Sequence, residues 1–134
     1  VFITSEEKLP KELESYKITI PYENIHSVLF YASMFYGESA TMASESAVLG
    51  TPAIYLDNSG RGYTDEQESK YGIVFNFNES LNDQAESIEK GVEILNIEKV
   101  NWDFKRMMIL NEKIDVTKFM VNQCLNIISK RAEE

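Results

Sequence analysis

Residues 36–53 read YGESATMASESAVLGTPA, and their types and spacing suit a strand-to-helix turn that lets something approach the backbone closely. An aromatic, strand-like run ends at Tyr36, and Gly37 follows where a tight or positive-φ turn is expected. Ser39 or Thr41 then stands at the N-cap position, leaving backbone N–H groups at the helix start without intrahelical partners. Those groups, with the positive end of the helix dipole, favour a phosphate or another anion. Ala40, Ala43, Ser44 and Ala47 recur at helical spacing and are small enough to let the helix lie close to a sheet. Glu45 lies beyond the first turn, but helical side chains lean towards the N-terminus. Its carboxylate is therefore placed to reach back to the turn and accept hydrogen bonds from paired sugar hydroxyls. Packing alone also accounts for small residues at such a turn, with Glu45 simply solvated. The residues by themselves leave both readings open.

Few other side chains offer chemistry. His26, the single histidine, opens an apolar helical pattern and reads as a surface or packing residue. No Ser-His-Asp or Cys-His set can be built around it. Paired-His spacing and calcium-loop patterns are missing, so no metal is expected. Asp65, Glu66 and Glu68 fit the ordinary preference of a first helical turn for acids. The lone Cys124 excludes an intrachain disulfide and, inside a helical pattern, reads as a small core residue. The segment Asp57–Thr64 (DNSGRGYT) is polar and turn-forming. Loops at the carboxyl ends of parallel strands carry the ligands of open α/β sheets. Asn58, Ser59 and Arg61 are thus candidate contacts, and Arg61, between two glycines, could close over a phosphate. A mobile surface loop is the alternative.

The elements that must position these residues alternate. Short β-type runs occur at Val1–Thr4, Tyr16–Ile20, Met34–Tyr36, Ala53–Leu56 and Ile73–Phe77. They are continuously apolar rather than alternating, as in strands buried on both faces. Helical patterns or helix-start signals lie between them, which is the signature of a parallel sheet covered by helices. Asn24 is placed to cap a helix with the stripe Ile25, Val28, Leu29 and Ala32. Residues 39–49 form the next helix, stopped by Gly50 and Pro52. Asp65–Tyr71 reads as a short helix ended by Gly72. Asn78 or Ser80 opens a longer one, whose face Leu81, Ala85, Ile88, Val92 and Leu95 is expected to pack inward. After Asn96 two helices are expected over 98–112 and 115–131. Asp115 caps the last, and Phe119, Val121, Cys124, Leu125 and Ile128 form its apolar side. The expectation is a single three-layer α/β domain over 1–134, Rossmann-like, with a helical C-terminal extension.

Composition bounds the partners. The 134 residues are 43% hydrophobic and 26% charged, as in a globular domain with a real core. A formal net charge of −9 argues against nucleic acid or an anionic membrane surface as partner. No run approaches a membrane span and no basic-then-apolar leader opens the chain. A cytoplasmic protein is therefore expected. The strand-like start at Val1, without lead-in, gives the further expectation that the chain is a piece of a longer protein.

The stretch Gly37…Thr41-Met42-Ala43-Ser44-Glu45-Ser46-Ala47-Val48-Leu49-Gly50-Thr51-Pro52-Ala53-Ile54 resembles the nucleotide-sugar-binding segment in C-terminal domains of GT-B proteins. It is most similar to a family of uncharacterised, predicted glycosyltransferases of archaea and bacteria. More distant likenesses are to non-hydrolysing UDP-N-acetylglucosamine 2-epimerases and the lipid II-forming N-acetylglucosaminyltransferase. Pro21-Tyr22-Glu23-Asn24-Ile25 resembles the segment whose backbone reads the base, and Tyr71-Gly72-Ile73-Val74-Phe75 the following strand entry. The likeness spans about residues 1–96.

This resemblance implies a donor half that holds a nucleotide sugar, UDP-linked, as substrate and uses no separate cofactor. Glu45 would take the ribose hydroxyls, the backbone near Gly37, Ser39, Ala40, Thr41 and Met42 the diphosphate, and Ile20–Tyr22 the base. It also implies metal-independent transfer in glycan or cell-surface polysaccharide synthesis. The partner would be an N-terminal domain supplying the acceptor's base, so this chain alone would be inactive. A first, central strand of the sheet would be missing. Relatives carry two or more glycines at the turn, whereas Glu38-Ser39-Ala40 follows Gly37 here, narrowing the space for a diphosphate and placing a carboxylate beside it. Two alternatives follow: a UDP-sugar 2-epimerase-like enzyme, or a non-catalytic binding or assembly module that keeps the fold. A homo-oligomer is compatible with each.

Overall fold

The computed structural model describes residues 1–132. Three parallel strands, β1 (Phe35–Gly37), β2 (Ala53–Leu56) and β3 (Val74–Phe77), form a sheet in the order β1-β2-β3. The register pairs Tyr36 with Ile54 and Ile54 with Phe75. Around it lie α1 (Ile25–Tyr31), α2 (Ala40–Leu49), α3 (Gly62–Glu66), α4 (Leu81–Leu95), α5 (Lys99–Glu112) and α6 (Val116–Ala132). This α/β arrangement, with helical crossovers between parallel strands, is compatible with a Rossmann-like domain.

Local chemistry sets the helix boundaries. Ser39 Oγ accepts the Met42 N–H at 3.3 Å, and Gly50 at φ 90° ends α2 with its N–H on the Ala47 carbonyl. Ser80 caps α4 by accepting the Asp83 N–H, while its hydroxyl donates to the Asp83 carboxylate. Asp115 accepts the Lys118 N–H at 2.9 Å, the cap expected for the last helix. Asn24 stands at the N-cap of α1 without a side-chain hydrogen bond. The expected Asp65–Tyr71 helix starts earlier, at Gly62, and passes into a π-helical turn, Gln67–Tyr71, ended by Gly72 at φ 60°.

Each face of the sheet receives helices. Tyr36, Ile54 and Phe75 point to α4, where Tyr36 Oη lies 2.7 Å from Ser87 Oγ and Gly91 approaches Ile54 and Met34. The other face carries α2 and the Gln67–Tyr71 turn, and Asn76 there donates to the Glu68 carboxylate. The core gathers Ala43, Ala47, Ala53, Ile54, Tyr55, Ile73 and Val74. α5 crosses the amino-terminal end of the sheet. Its Arg106 donates to the Val48 carbonyl at 3.1 Å, its Lys105 to Gly72, and its buried Trp102 meets Phe75 edge-on.

Three expectations fail. Val1–Thr4 and Tyr16–Ile20 do not join the sheet, but meet only in one parallel bridge, Ile3 with Lys17. Val1 and Phe2 are exposed, no residue of either segment is fully buried, and two such short, half-covered segments cannot sustain a ladder. The apolar stripe of α4 also faces outward: Leu81, Ile88, Val92 and Leu95 are exposed, while Ser87, Gly91 and Ile94 meet the sheet. The apolar side of α6, with Phe119, Val121, Leu125 and Ile128, is likewise exposed, and Cys124 is no core residue. Amphipathic spacing shows which residues share a face, not what covers it.

Candidate functional site

Parallel strands bring their carboxyl ends to one edge, so the Gly37–Ser39 turn, the Asp57–Arg61 loop and the Asn78–Ser80 turn gather there. The start of α1 joins them. Thr51, at the amino-terminal side of β2, donates to the Leu29 carbonyl at 2.7 Å, which fixes the end of α1 at the opposite edge. Tyr22 and His26 therefore stand on the same side of the molecule as the start of α2.

The turn differs from expectation in its cause. Positive φ is confined to Gly50 and Gly72 among the described glycines, so Gly37 is not needed for a left-handed backbone. A Cβ on Gly37 would stand 3.1 Å from the Phe35 ring, so glycine serves close packing over that ring. Glu38 points to solvent, while Ala40 is buried against the core. The Ser39 cap satisfies the Met42 N–H, whereas the N–H groups of Ala40 and Thr41 have no hydrogen-bond partner among the described residues. They are the donors the sequence pattern points to.

Glu45 is half-exposed and lies roughly 7.5 Å further along the α2 axis than Ala40. Its Oε2 stands 3.3 Å from His26 Nε2, joining α2 to α1 through a solvent-facing pair. His26, read from the sequence as a surface or packing residue, is exposed and is the immediate neighbour of the carboxylate singled out for sugar hydroxyls. No local sequence signal links positions 19 residues apart; the fold does. Ile20 is half-buried, and Tyr22, 91% exposed, begins a single 3₁₀ turn before α1.

The Asp57–Arg61 loop is ordered by its own hydrogen bonds. Asp57 Oδ1 accepts the Ser59 N–H at 2.8 Å and the Ser59 hydroxyl at 2.9 Å, and Oδ2 accepts the buried Tyr55 hydroxyl at 3.0 Å. The Ser59 N–H, the Ser59 hydroxyl and the Tyr55 hydroxyl together hold the Asp57 carboxyl below its ordinary range. Burial first, and the Asp57 bond second, push the Tyr55 phenol up. Asn58 and Glu79 exchange bonds, Nδ2 to carboxylate at 2.6 Å and N–H to Oδ1 at 3.1 Å. Arg61 folds onto the Ser59 and Gly60 carbonyls, at 3.3 and 3.1 Å. Ser59 is thus spent on the loop itself and Asn58 on the neighbouring Asn78–Ser80 turn, whereas the exposed Arg61 retains donors for an anion. Asp57 was missed, although Asp-x-Ser after a strand is a legible side-chain-to-backbone turn.

Among the described residues no group of three or more His, Cys, Asp or Glu side chains could hold a metal ion. Nor is any described helix long and apolar enough to cross a membrane. The chain matches no protein-family model, no curated protein and no solved structure.

Proposed function

We propose that this chain is the donor-binding half of a glycosyltransferase-like protein acting in glycan or cell-surface polysaccharide synthesis, and that it binds a nucleoside-diphosphate sugar, UDP-linked, at the start of α2. One observation carries the reading: the unpartnered Ala40 and Thr41 N–H groups and the half-exposed Glu45 carboxylate lie along one helix that starts at the carboxyl edge of the sheet. The N–H groups and helix dipole suit a diphosphate. The carboxylate suits a ribose diol, and the Ile20–Tyr22 segment, which leads into α1 on the same side of the molecule, suits the base. In transfer, the same N–H groups would stabilise charge on the departing diphosphate. The group that activates the acceptor would come from a second domain of a longer protein.

Glu38 favours a second reading, a binding or assembly module without catalysis. Its exposed carboxylate beside the turn opposes a diphosphate, which only stronger donors could offset. Calorimetric titration of the chain with UDP and UDP-N-acetylglucosamine separates the two. Saturable binding, weakened ~10-fold or more by Glu45→Ala, is expected of the donor site. No heat at millimolar nucleotide would favour the module.

A further inference from the structure

Between Lys17 and Arg61 the sequence holds no lysine or arginine, so His26 is the sole side chain there able to carry a positive charge. The same stretch includes Glu23, Glu38, Glu45 and Asp57. The one base stands against one of those acids, with His26 Nε2 lying 3.3 Å from Glu45 Oε2. No second bond to the Glu45 carboxylate occurs among the described residues.

Both helices that carry the pair are anchored. The Thr51 hydroxyl on the carbonyl of the buried Leu29 fixes α1, and the small residues of α2 lie in the core. The two side chains nevertheless face solvent, at 68% and 40% exposure. A pair so exposed adds little to the stability of the fold. Its consequence is local, because a glutamate side chain turns about several bonds and one contact at its tip narrows that freedom. An ionised carboxylate only accepts, so the imidazole must donate from Nε2, whatever the state of Nδ1. One lone pair of Oε2 is taken in this way. Oε1 and the rest of Oε2 stay open, and two acceptors side by side match two adjacent hydroxyls, each donating one hydrogen bond.

We propose that His26 is a positioning residue of the donor site, holding the Glu45 carboxylate ready for the 2′- and 3′-hydroxyls of the ribose. The inference rests on the reading of Glu45 as the ribose acceptor and adds the group that orients it. Because His26 acts through Glu45, its loss weakens ligands that carry the diol and spares ligands that lack it.

Calorimetric titrations with UDP and with 2′,3′-dideoxyuridine diphosphate, which lacks both hydroxyls, test this. Wild type is expected to prefer UDP ~10-fold or more, and Glu45→Ala to abolish the preference. His26→Ala is expected to reduce it roughly three- to fivefold, the scale of an exposed pair, with affinity for the dideoxy compound unchanged. His26→Gln, whose amide nitrogen replaces Nε2, is expected to restore it. In the Glu45→Ala background, His26→Ala should change nothing further. Thermal melting should be unaltered throughout, since both side chains are exposed. A preference lost in Glu45→Ala but intact in His26→Ala overturns this inference alone, as does an equal weakening of both ligands by His26→Ala. A wild type that holds the two ligands alike, or binds neither, overturns the ribose reading and this inference together.

Discussion

α2 and α4 lie against opposite faces of one sheet, and both meet it with small residues. α2 buries Ala40, Ala43, Ser46 and Ala47, and α4 buries Ser87 and Gly91 beside Ile94. Yet α4 owns the stronger apolar pattern and turns it to solvent, while α2 has hardly any large side chains to display. Close backbone approach, rather than the larger hydrophobic stripe, selects the docking face in each case. At Gly91 an added Cβ would already touch Met34 and Ile54 at 3.4 and 3.5 Å. A bulky residue there would lift the helix from the sheet.

The sharpest way to break this comparison uses two isoleucines of the same helix. Ile94 is 1% exposed and Ile88 is 61% exposed. Ile94→Ala is expected to cost about 2–5 kcal/mol in urea unfolding, because it removes core contacts and leaves a cavity. Ile88→Ala is expected to stay within roughly 0.5 kcal/mol. Equal costs would mean that the stripe of α4 is buried and the assignment of its faces wrong.

The comparison also explains what the sequence could and could not tell. Ser39, Gly50, Ser80 and Asp115 are readable because a cap is a local bargain between a side chain and the nearest backbone groups. β1, β2 and β3 fall on the expected apolar runs because they pair in one ladder with helices against it, and β2 at its centre is the most deeply buried. Val1–Thr4 and Tyr16–Ile20 also read as β-type runs but bury no residue fully, and propensity without burial does not make a sheet. Gly37 was legible as a close approach and misread in its cause, since only the Phe35 ring in place reveals it. The His26–Glu45 pair depends on how α1 and α2 lie together, which no spacing within either helix encodes. The donor-site reading itself rests on residues 36–53 and on the free N–H groups that their fold leaves.

A smaller effect separates the ordered Asp57 loop from the α2 turn beside it. The Ser59 and Tyr55 donors hold the Asp57 carboxyl below its ordinary range, so its contribution to stability is complete above the unfolded carboxylate pKa. It is lost as pH falls through the lowered folded value. Wild type should melt above Asp57→Ala at neutral pH, and the gap should close in acid. A gap that persists unchanged there would show that the carboxylate does not organise the loop.

The most direct test of the donor site is an amide-resolved NMR titration of the chain with UDP. The account predicts saturating shifts led by the Ala40 and Thr41 N–H groups, with Tyr22 and Glu45 following, and their loss in Glu45→Ala. Shifts absent at millimolar nucleotide, or centred away from the start of α2, would contradict it.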